Sequence, residues 1–337
     1  MQVKMIYHTP NYHKLVEALA RNCYQSYERC TETSHNMLKG IMAKGHLSVA
    51  SVGNIVFKLQ ADNYAELVSL YGDLIAFKEI TPFIRWTFPN KQNQVDRIVV
   101  SMNVLTLMDI NNNYVSFHDD NDHPSALLPQ IIEQIKAVPY LHWFLDHTVD
   151  VPSAPNEYLV TPDWSNPIVL TQDYTALKEL GFTDYELDTH ATVTVDLVTD
   201  RATGLQMWRH VAYQGGTELS QRYVDRSNAS FRVPVGLEQL NTETEDWVEW
   251  FKDLMNSHLS NYNIVKEELE NAGIGKMRAK EMARNLLPNI QTRIIQCRPL
   301  KYWKHYINLR NTPHAQAEIR EDTKALISSF QNAGIEI

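Results

Sequence analysis

Hydrophobic positions along the chain change period several times, and each change marks an element. Leu15, Val16, Leu19, Ala20 and Cys23 recur on one helical face, and Thr9 as N-cap with Pro10 in the first position predicts where that helix opens. Met37, Leu38, Ile41 and Met42 predict a second helix over residues 34–44, closed by Gly45 in the left-handed cap. The period then drops to two, because Ile55, Phe57 and Leu59 alternate with Val56 and Lys58, and a strand is predicted. Between residues 63 and 188 the pattern is mixed: a helix through Leu67, Leu70, Tyr71 and Leu74, a β-rich run at 97–107, and a helix at 124–137, with no legible repeat. Thr192, Thr194 and Asp196 alternate with Val193, Val195 and Leu197, which predicts a half-buried strand followed by a helix over 202–210. Beyond Pro234 the expectation is mostly helical, at 246–259, 264–271, 277–286, a stretch past Pro288, and a last helix opened by Thr312 and Pro313.

Composition narrows the class. The 337 residues are 44% hydrophobic and 10% aromatic with only 12 Gly and 14 Pro, which excludes disorder and low-complexity sequence and leaves one large or two small globular domains. Lys and Arg number 31 against 40 Asp and Glu, a formal charge of −9, so the overall basic footprint of a nucleic-acid binder is missing. Three cysteines, Cys23, Cys30 and Cys297, have neither disulfide-framework nor zinc spacing. No apolar run approaches the ~20 residues of a membrane span, and the first residues lack a signal-peptide core, so a cytoplasmic protein without a membrane partner is expected. The cluster His118, Asp119, Asp120, Asn121, Asp122 and His123 reads as a solvated loop, and no metal site is expected.

Candidate chemistry lies in the second half. Gln206, Arg209 and His210 stand at i, i+3 and i+4, so an amide, a fixed cation and an imidazole share one helical face. Gly215 and Gly216 break that helix, and Glu218, Ser220 and Arg222 follow at spacing two, which in an extended segment aims all three the same way. Two cations and several hydrogen-bonding groups either side of a Gly-Gly turn suit an anion pocket. A second set comprises Arg293, His305 with Asn308 on one helical face, and Gln316 with Arg320 at i and i+4.

These residues resemble the flavin-dependent thymidylate synthases, whose signature is an Arg-His-Arg triplet at a helix end followed by Glu-x-Ser-x-Arg-Tyr. Here WRHVAYQGGTELSQRYV supplies Arg209, His210, Glu218, Ser220, Arg222 and Tyr223. ARNCYQS and GHLSVASVGNIVFKL look like the family's first helix and its Gly-His-Glu-Ser turn and strand, and EMARNLLPN, TRIIQ, KHYINLR and HAQAEIRE follow in the family's order. The likeness covers residues 1–60 and 190–337 and leaves 61–189 as an insertion.

The resemblance implies an α/β (α+β) fold with a mixed sheet, long helices and an inserted α/β region. It implies a homotetramer that binds FAD, NADPH, methylenetetrahydrofolate and dUMP, and that converts dUMP to dTMP by flavin-delivered hydride without a cysteine nucleophile. Carried over position by position, Arg209, His210, Glu218, Asn308, Arg310 and His314 match cofactor places. Gln206, Ser220, Arg222, Arg293 and Arg320 match nucleotide places, Ser220 and Arg320 being catalytic as well. The chain departs from the pattern at Val211, the triplet's third residue, at Leu47, and at Ser51 and Val52. Those departures leave open formation of another C5-modified pyrimidine nucleotide, such as a 5-hydroxymethyl derivative, or nucleotide or flavin binding without turnover.

Overall fold

The computed structural model describes residues 1–30, 35–88, 97–117, 125–158, 166–210 and 215–337. Val211 and the cluster at 118–123 lie outside these residues. The chain opens with a strand that the sequence pattern does not show, β1 (Gln2–His8), because a register shift between Met5 and Tyr7 breaks its alternation. Helix α1 (Tyr12–Tyr24) starts later than predicted: Thr9 does not cap it but donates its N–H to the Asn54 carbonyl at 2.8 Å and its hydroxyl to Asp173 at 2.8 Å. Helix α2 (His35–Ala43) ends before Gly45, which takes a φ of 77°, and β2 (Ile55–Gln60) follows as expected. Next come α3 (Tyr64–Ile80), β3 (Arg85–Thr87) and β4 (Arg97–Met102). The run read as β-rich to residue 107 turns helical earlier, since the Asn103 side chain accepts from the Thr106 N–H at 2.8 Å and opens α4 (Val104–Phe117). Helices α5 (Leu127–Lys136) and α6 (Pro139–His142) complete this part.

The second part runs β5 (Ile168–Leu170), α7 (Gln172–Glu179), α8 (Asp184–His190), β6 (Thr192–Asp200), α9 (Arg201–Trp208) and β7 (Gly215–Glu218). It continues through α10 (Trp247–Asn271), α11 (Lys276–Ala283), β8 (Gln291–Pro299), α12 (Leu300–Arg310) and α13 (Ala317–Asn332). The stretch past Pro288 is therefore a nine-residue strand and not a helix. Helix α13 begins four residues after Pro313, because Thr312 hydrogen-bonds back to the Leu309 carbonyl instead of capping forward.

The two sheets follow one plan. Their orders are β1-β2-β4-β3 and β5-β6-β8-β7, and every pairing is antiparallel, so the expected mixed sheet is not what forms. A helix follows the second strand of each (α3, α9) and the fourth strand of each (α4, α12), and the next long helix packs on the first strand (α5 on β1, α13 on β5). Aligning Arg97 with Arg293 superposes the starts of α4 and α12 and brings Thr87 and Thr217 to the same register, opposite Val99 and Ile295. Residues 61–189 contribute β3 and β4 to one sheet and β5 to the other, so boundaries drawn at 60 and 190 cut across both sheets.

The two units clasp each other reciprocally, in the manner of an isologous interface. Helix α1 of the first unit packs on β7 and β8, while α7 and α8 of the second pack on β1 and β3. Ile55, Phe57, Leu59, Ile98 and Val100 share a core with α1, α4 and α5, and Val56 and Val99 on the opposite face meet Leu177, Phe182 and Leu187. Val193, Val195 and Leu197 face α12 and α13. Both faces of β6 are thus covered, and the strand expected to be half-buried is buried throughout. Its polar residues are satisfied inside: Thr192 donates to Asp173, which also accepts from Tyr7 at 2.7 Å. The equivalent threonines take matching cross-unit bonds, Thr217 from Asn22 of α1 at 3.3 Å and Thr87 with His190 of α8 at 2.8 Å.

His190 makes this interface acid-sensitive. Its two ring nitrogens contact the Thr87 and Ser101 hydroxyls, both at 2.8 Å, and burial, with Arg85 and Lys301 nearby, holds its pKa well below the usual value. The unfolded chain takes up a proton near pH 6.5 that the folded chain refuses, so stability is complete above that pH and falls as pH drops toward the folded pKa. The loss is at most about 1.4 kcal/mol per pH unit for this residue, and His8 and His210, also lowered, act in the same direction. Urea unfolding at pH 7.5 and 5.5 is expected to show lower stability at 5.5, with a smaller difference in His190→Gln. Stability that rises on acidification contradicts this.

Candidate active site

Helix α9 is launched directly from β6. Asp200 accepts from the Thr203 N–H at 2.9 Å and from its hydroxyl at 2.8 Å, and Gly204 lets the helix lie close on β8, where a Cβ would stand 2.7 Å from Ile294 Cδ1. The helix stops at Trp208, two residues sooner than predicted, and His210 leaves its end toward α12. There His210 Nε2 receives Arg310 Nε at 3.1 Å and Nη2 at 2.9 Å. An imidazole nitrogen that accepts from a guanidinium carries no proton, so in the neutral ring the proton sits on Nδ1, which remains a donor. Burial first, then Arg310, Arg298 and His305, pull the His210 pKa down. Tyr306 stands edge-on to the ring at 5.4 Å.

Gln206 reaches across from α9 to hydrogen-bond Gln316, the residue that precedes α13. The sequence-predicted residues thus form two contacts, Gln206–Gln316 from α9 to the start of α13 and His210–Arg310 from just past α9 to α12. Arg209 is exposed at the end of α9, Asn308 is exposed on α12, and His314 is exposed in the turn after it. Arg320 donates to the Pro313 carbonyl at 3.3 Å, bracing that turn.

The other predicted residues sit elsewhere. Glu218 accepts from Arg201 at 2.9 Å, Thr292 at 3.0 Å and Trp208 Nε1 at 3.2 Å, so its carboxylate ties β7 to α9 and β8. The common direction expected for Glu218, Ser220 and Arg222 fails, because β7 ends at Glu218 and the chain turns. The Ser220 hydroxyl oxygen accepts from the N–H groups of Arg222 at 3.1 Å and Tyr223 at 3.3 Å and so forms that turn. Ser220 and Glu218 line a cavity of about 310 Å³ with Tyr24, His46, Trp208 and Tyr223. Arg222 lies over the Tyr223 ring at 5.6 Å and 3.7 Å from Glu281. Arg293 forks onto Asp196 at 2.8 and 2.5 Å, stacks over Tyr27 at 4.6 Å, and lines a separate cavity of about 270 Å³ with Asn22, Gln25 and Arg226. Sequence reasoning missed Tyr27 and Arg226. Neither carries a spacing signal, and only the fold brings them beside Arg293.

Two of the departures from the family pattern, Leu47 and Val52, are absorbed in the core. Val52 is fully buried and its carbonyl accepts from the Tyr12 hydroxyl, while Leu47 packs against the same core. Cys297 is buried in β8, a strand and not the helix expected, and burial pushes its thiol pKa up, opposite to what a thiolate nucleophile needs. Among the described residues no group of His, Cys, Asp and Glu could hold a metal ion, and no helix is long and apolar enough to cross a membrane.

Residues 186–333 match the family described as thymidylate synthase complementing protein. The chain is 31% identical over 120 residues to the flavin-dependent thymidylate synthase of Mycolicibacterium vanbaalenii, covering 33% of this chain and 45% of that protein. It is 29% identical over 166 residues to that of Corynebacterium glutamicum, covering 47% and 64%, and 31% identical over 120 residues to that of Mycobacterium tuberculosis, covering 33% and 45%. The match thus spans about half the length of these relatives. The residues matched by the family begin in α8 and end just past α13, and they include the whole second sheet except β5. Residues 186–333, which carry Gln206, His210, Arg310 and Gln316, are thus the part of the chain that is similar to the thymidylate synthase complementing protein family.

Proposed function

We propose that the protein is a flavin-dependent thymidylate synthase, an enzyme that carries the one-carbon unit of methylenetetrahydrofolate to C5 of dUMP and yields dTMP, with FAD as resident cofactor and NADPH as reductant. The observation that carries this reading is the His210–Arg310 pair, at a helix end inside the family-matched residues. The donor set fits a flavin: His210 Nδ1, Arg209 and Arg310 offer N–H groups and positive charge with no carboxylate contact among the described residues, which suits a ring that gains negative charge on reduction. When bound, the reduced flavin supplies hydride.

The chain's own residues then divide the work. Arg310 holds the His210 ring in one tautomer, so that Nδ1–H is aimed as a donor. Arg209, Asn308 and His314, exposed around the pair, complete the cofactor side, and Glu218 keeps β7 and α9 in place. Gln206 and Arg320, at the approach to α13, with Ser220 and Arg222 across β7, make the nucleotide side. Arg293 already forks onto Asp196, so its part is to shape the wall beside Tyr27. Among the described residues no hydrogen bond or ion pair joins the His210–Arg310 pair to the Ser220 turn, which favours a site assembled between chains and a homotetramer.

A purified chain that binds FAD, and that converts dUMP to dTMP only with FAD, NADPH and methylenetetrahydrofolate all present, supports the reading. Nucleotide taken up and returned unchanged argues against it. Cys297→Ser is expected to keep turnover within a few-fold, as measured by dTMP formation. Abolished turnover with intact nucleotide binding would instead make the thiol a nucleophile.

A further inference from the structure

Arg298 is fully buried on the face of β8 that meets α9 and α12. Its guanidinium lies 4.4 Å over the Trp303 ring and 5.3 Å over the Tyr306 ring, and donates to the Met207 carbonyl at 3.0 Å and to Gln296 Oε1. Among the described residues its Nε and Nη1 have no acceptor, and neither has the Nε2 of the buried Gln296. No carboxylate pairs with it among the described residues: burial lowers its pKa to about 10, and the one charge that acts the other way is the Tyr306 phenol. Among the described residues the charged or titratable groups around His210 are Arg310, His305 and Tyr306 on α12 and Arg298 itself, with no carboxylate among them. The following residues Val211, Ala212, Tyr213 and Gln214 add no acid by sequence.

The first unit supplies an internal comparison. In the alignment of β4 and α4 with β8 and α12, Val100 and Met102 stand where Gln296 and Arg298 stand, and Leu107, Ile110 and Tyr114 where Trp303, Tyr306 and Arg310 stand. All five first-unit residues are buried. The same architecture therefore closes on apolar side chains here, so the fold does not require a buried cation with unmet donors. A buried charge without a partner is a cost that a protein meets by neutralisation or by a counter-charge.

We propose that Arg298 is the fixed positive charge of an anion subsite at the His210–Arg310 edge, a positioning residue whose counter-charge is a phosphoryl group of the bound nucleotide ligand. Inside a low-dielectric wall its field reaches the edge unscreened by salt, so contact with the ligand is not needed. The phosphoryl group belongs either to the flavin nucleotide or to the pyrimidine nucleotide. The inference takes its ligands from the flavin-site reading above, but the ligand-free measurement below does not depend on it.

The test uses the full chain as wild type, Arg298→Met, which copies the first unit, and Arg298→Lys. Ligand-free Arg298→Met is expected to melt at or above the wild-type temperature, since it exchanges an uncompensated charge for the residue that the other unit uses. One of two ligand pairs, FAD against riboflavin or dUMP against deoxyuridine, is expected to lose at least tenfold in affinity for the phosphate-bearing member and less than threefold for the phosphate-free member. Arg298→Lys should stay within threefold of wild type. A ligand-free Arg298→Met that melts lower while both pairs are unchanged overturns the proposal, as does equal loss within both pairs. Wild type that binds no flavin sinks the flavin reading and leaves the dUMP pair to decide; no preference for dUMP over deoxyuridine in that case overturns the subsite too.

Discussion

Arg293→Ala is expected to lower folding stability by about 3–5 kcal/mol, the range for breaking a buried ion pair from one side. The pair is buried on both sides, the side chains of Arg293 and Asp196 being 12% and 3% exposed, and it spans β8 and β6 through two bonds of 2.8 and 2.5 Å. Removing the guanidinium strands the Asp196 carboxylate in the sheet and takes away the cation stacked on Tyr27. A surface arginine that only bound a phosphate would instead be nearly silent for stability. Urea unfolding of Arg293→Ala, Asp196→Ala and the double variant measures this. The double variant should be less destabilised than the sum of the singles, and an Arg293→Ala chain with wild-type stability and weakened dUMP binding would return Arg293 to the nucleotide.

Gly215→Ala is expected to cost stability at or above the upper end of the roughly 1–3 kcal/mol of an overpacked core. A Cβ on Gly215 would stand 1.8 Å from the Ser51 carbonyl oxygen, a backbone atom fixed by the turn that precedes β2, so β7 would have to move away from the first unit. The expected observation is a large fall in thermal midpoint, and an unchanged midpoint would show that β7 does not press on that turn. The Gly-Gly step at 215–216 reads in sequence as room for a ligand to meet backbone. In the fold, Gly215 is the place where the two units meet.

How much of this was legible depends on whether the cause is local. Gly45, the apolar face of α1 and the alternation of β2 are local, and they can be read directly. The His210–Arg310 pair was legible as two separate matches to a family pattern, 100 residues apart in the chain, but not as a contact. The repeat of the two sheets was not legible, because almost nothing but Arg-Ile at 97–98 and 293–294 is shared, and α10 and α11 separate β7 from β8 while only nine residues lie between β3 and β4. The full burial of β6 was hidden for a related reason: Thr192, Thr194 and Asp196 look solvent-facing until α7 supplies Asp173, and β8 supplies Arg293, to satisfy two of them. Arg298 reads as one more charged residue beside a proline, and only the stacked Trp303 and Tyr306 reveal it as a cation without a counter-charge.

The most direct test is the mass of the nucleotide recovered after the purified chain is incubated, under anaerobic conditions, with dUMP, FAD, NADPH and methylenetetrahydrofolate. The expected product is dTMP, formed only when all four are present and lost in Arg310→Met, which removes both bonds to His210. Recovery of unchanged dUMP, or of a hydroxymethylated nucleotide in place of dTMP, would contradict it.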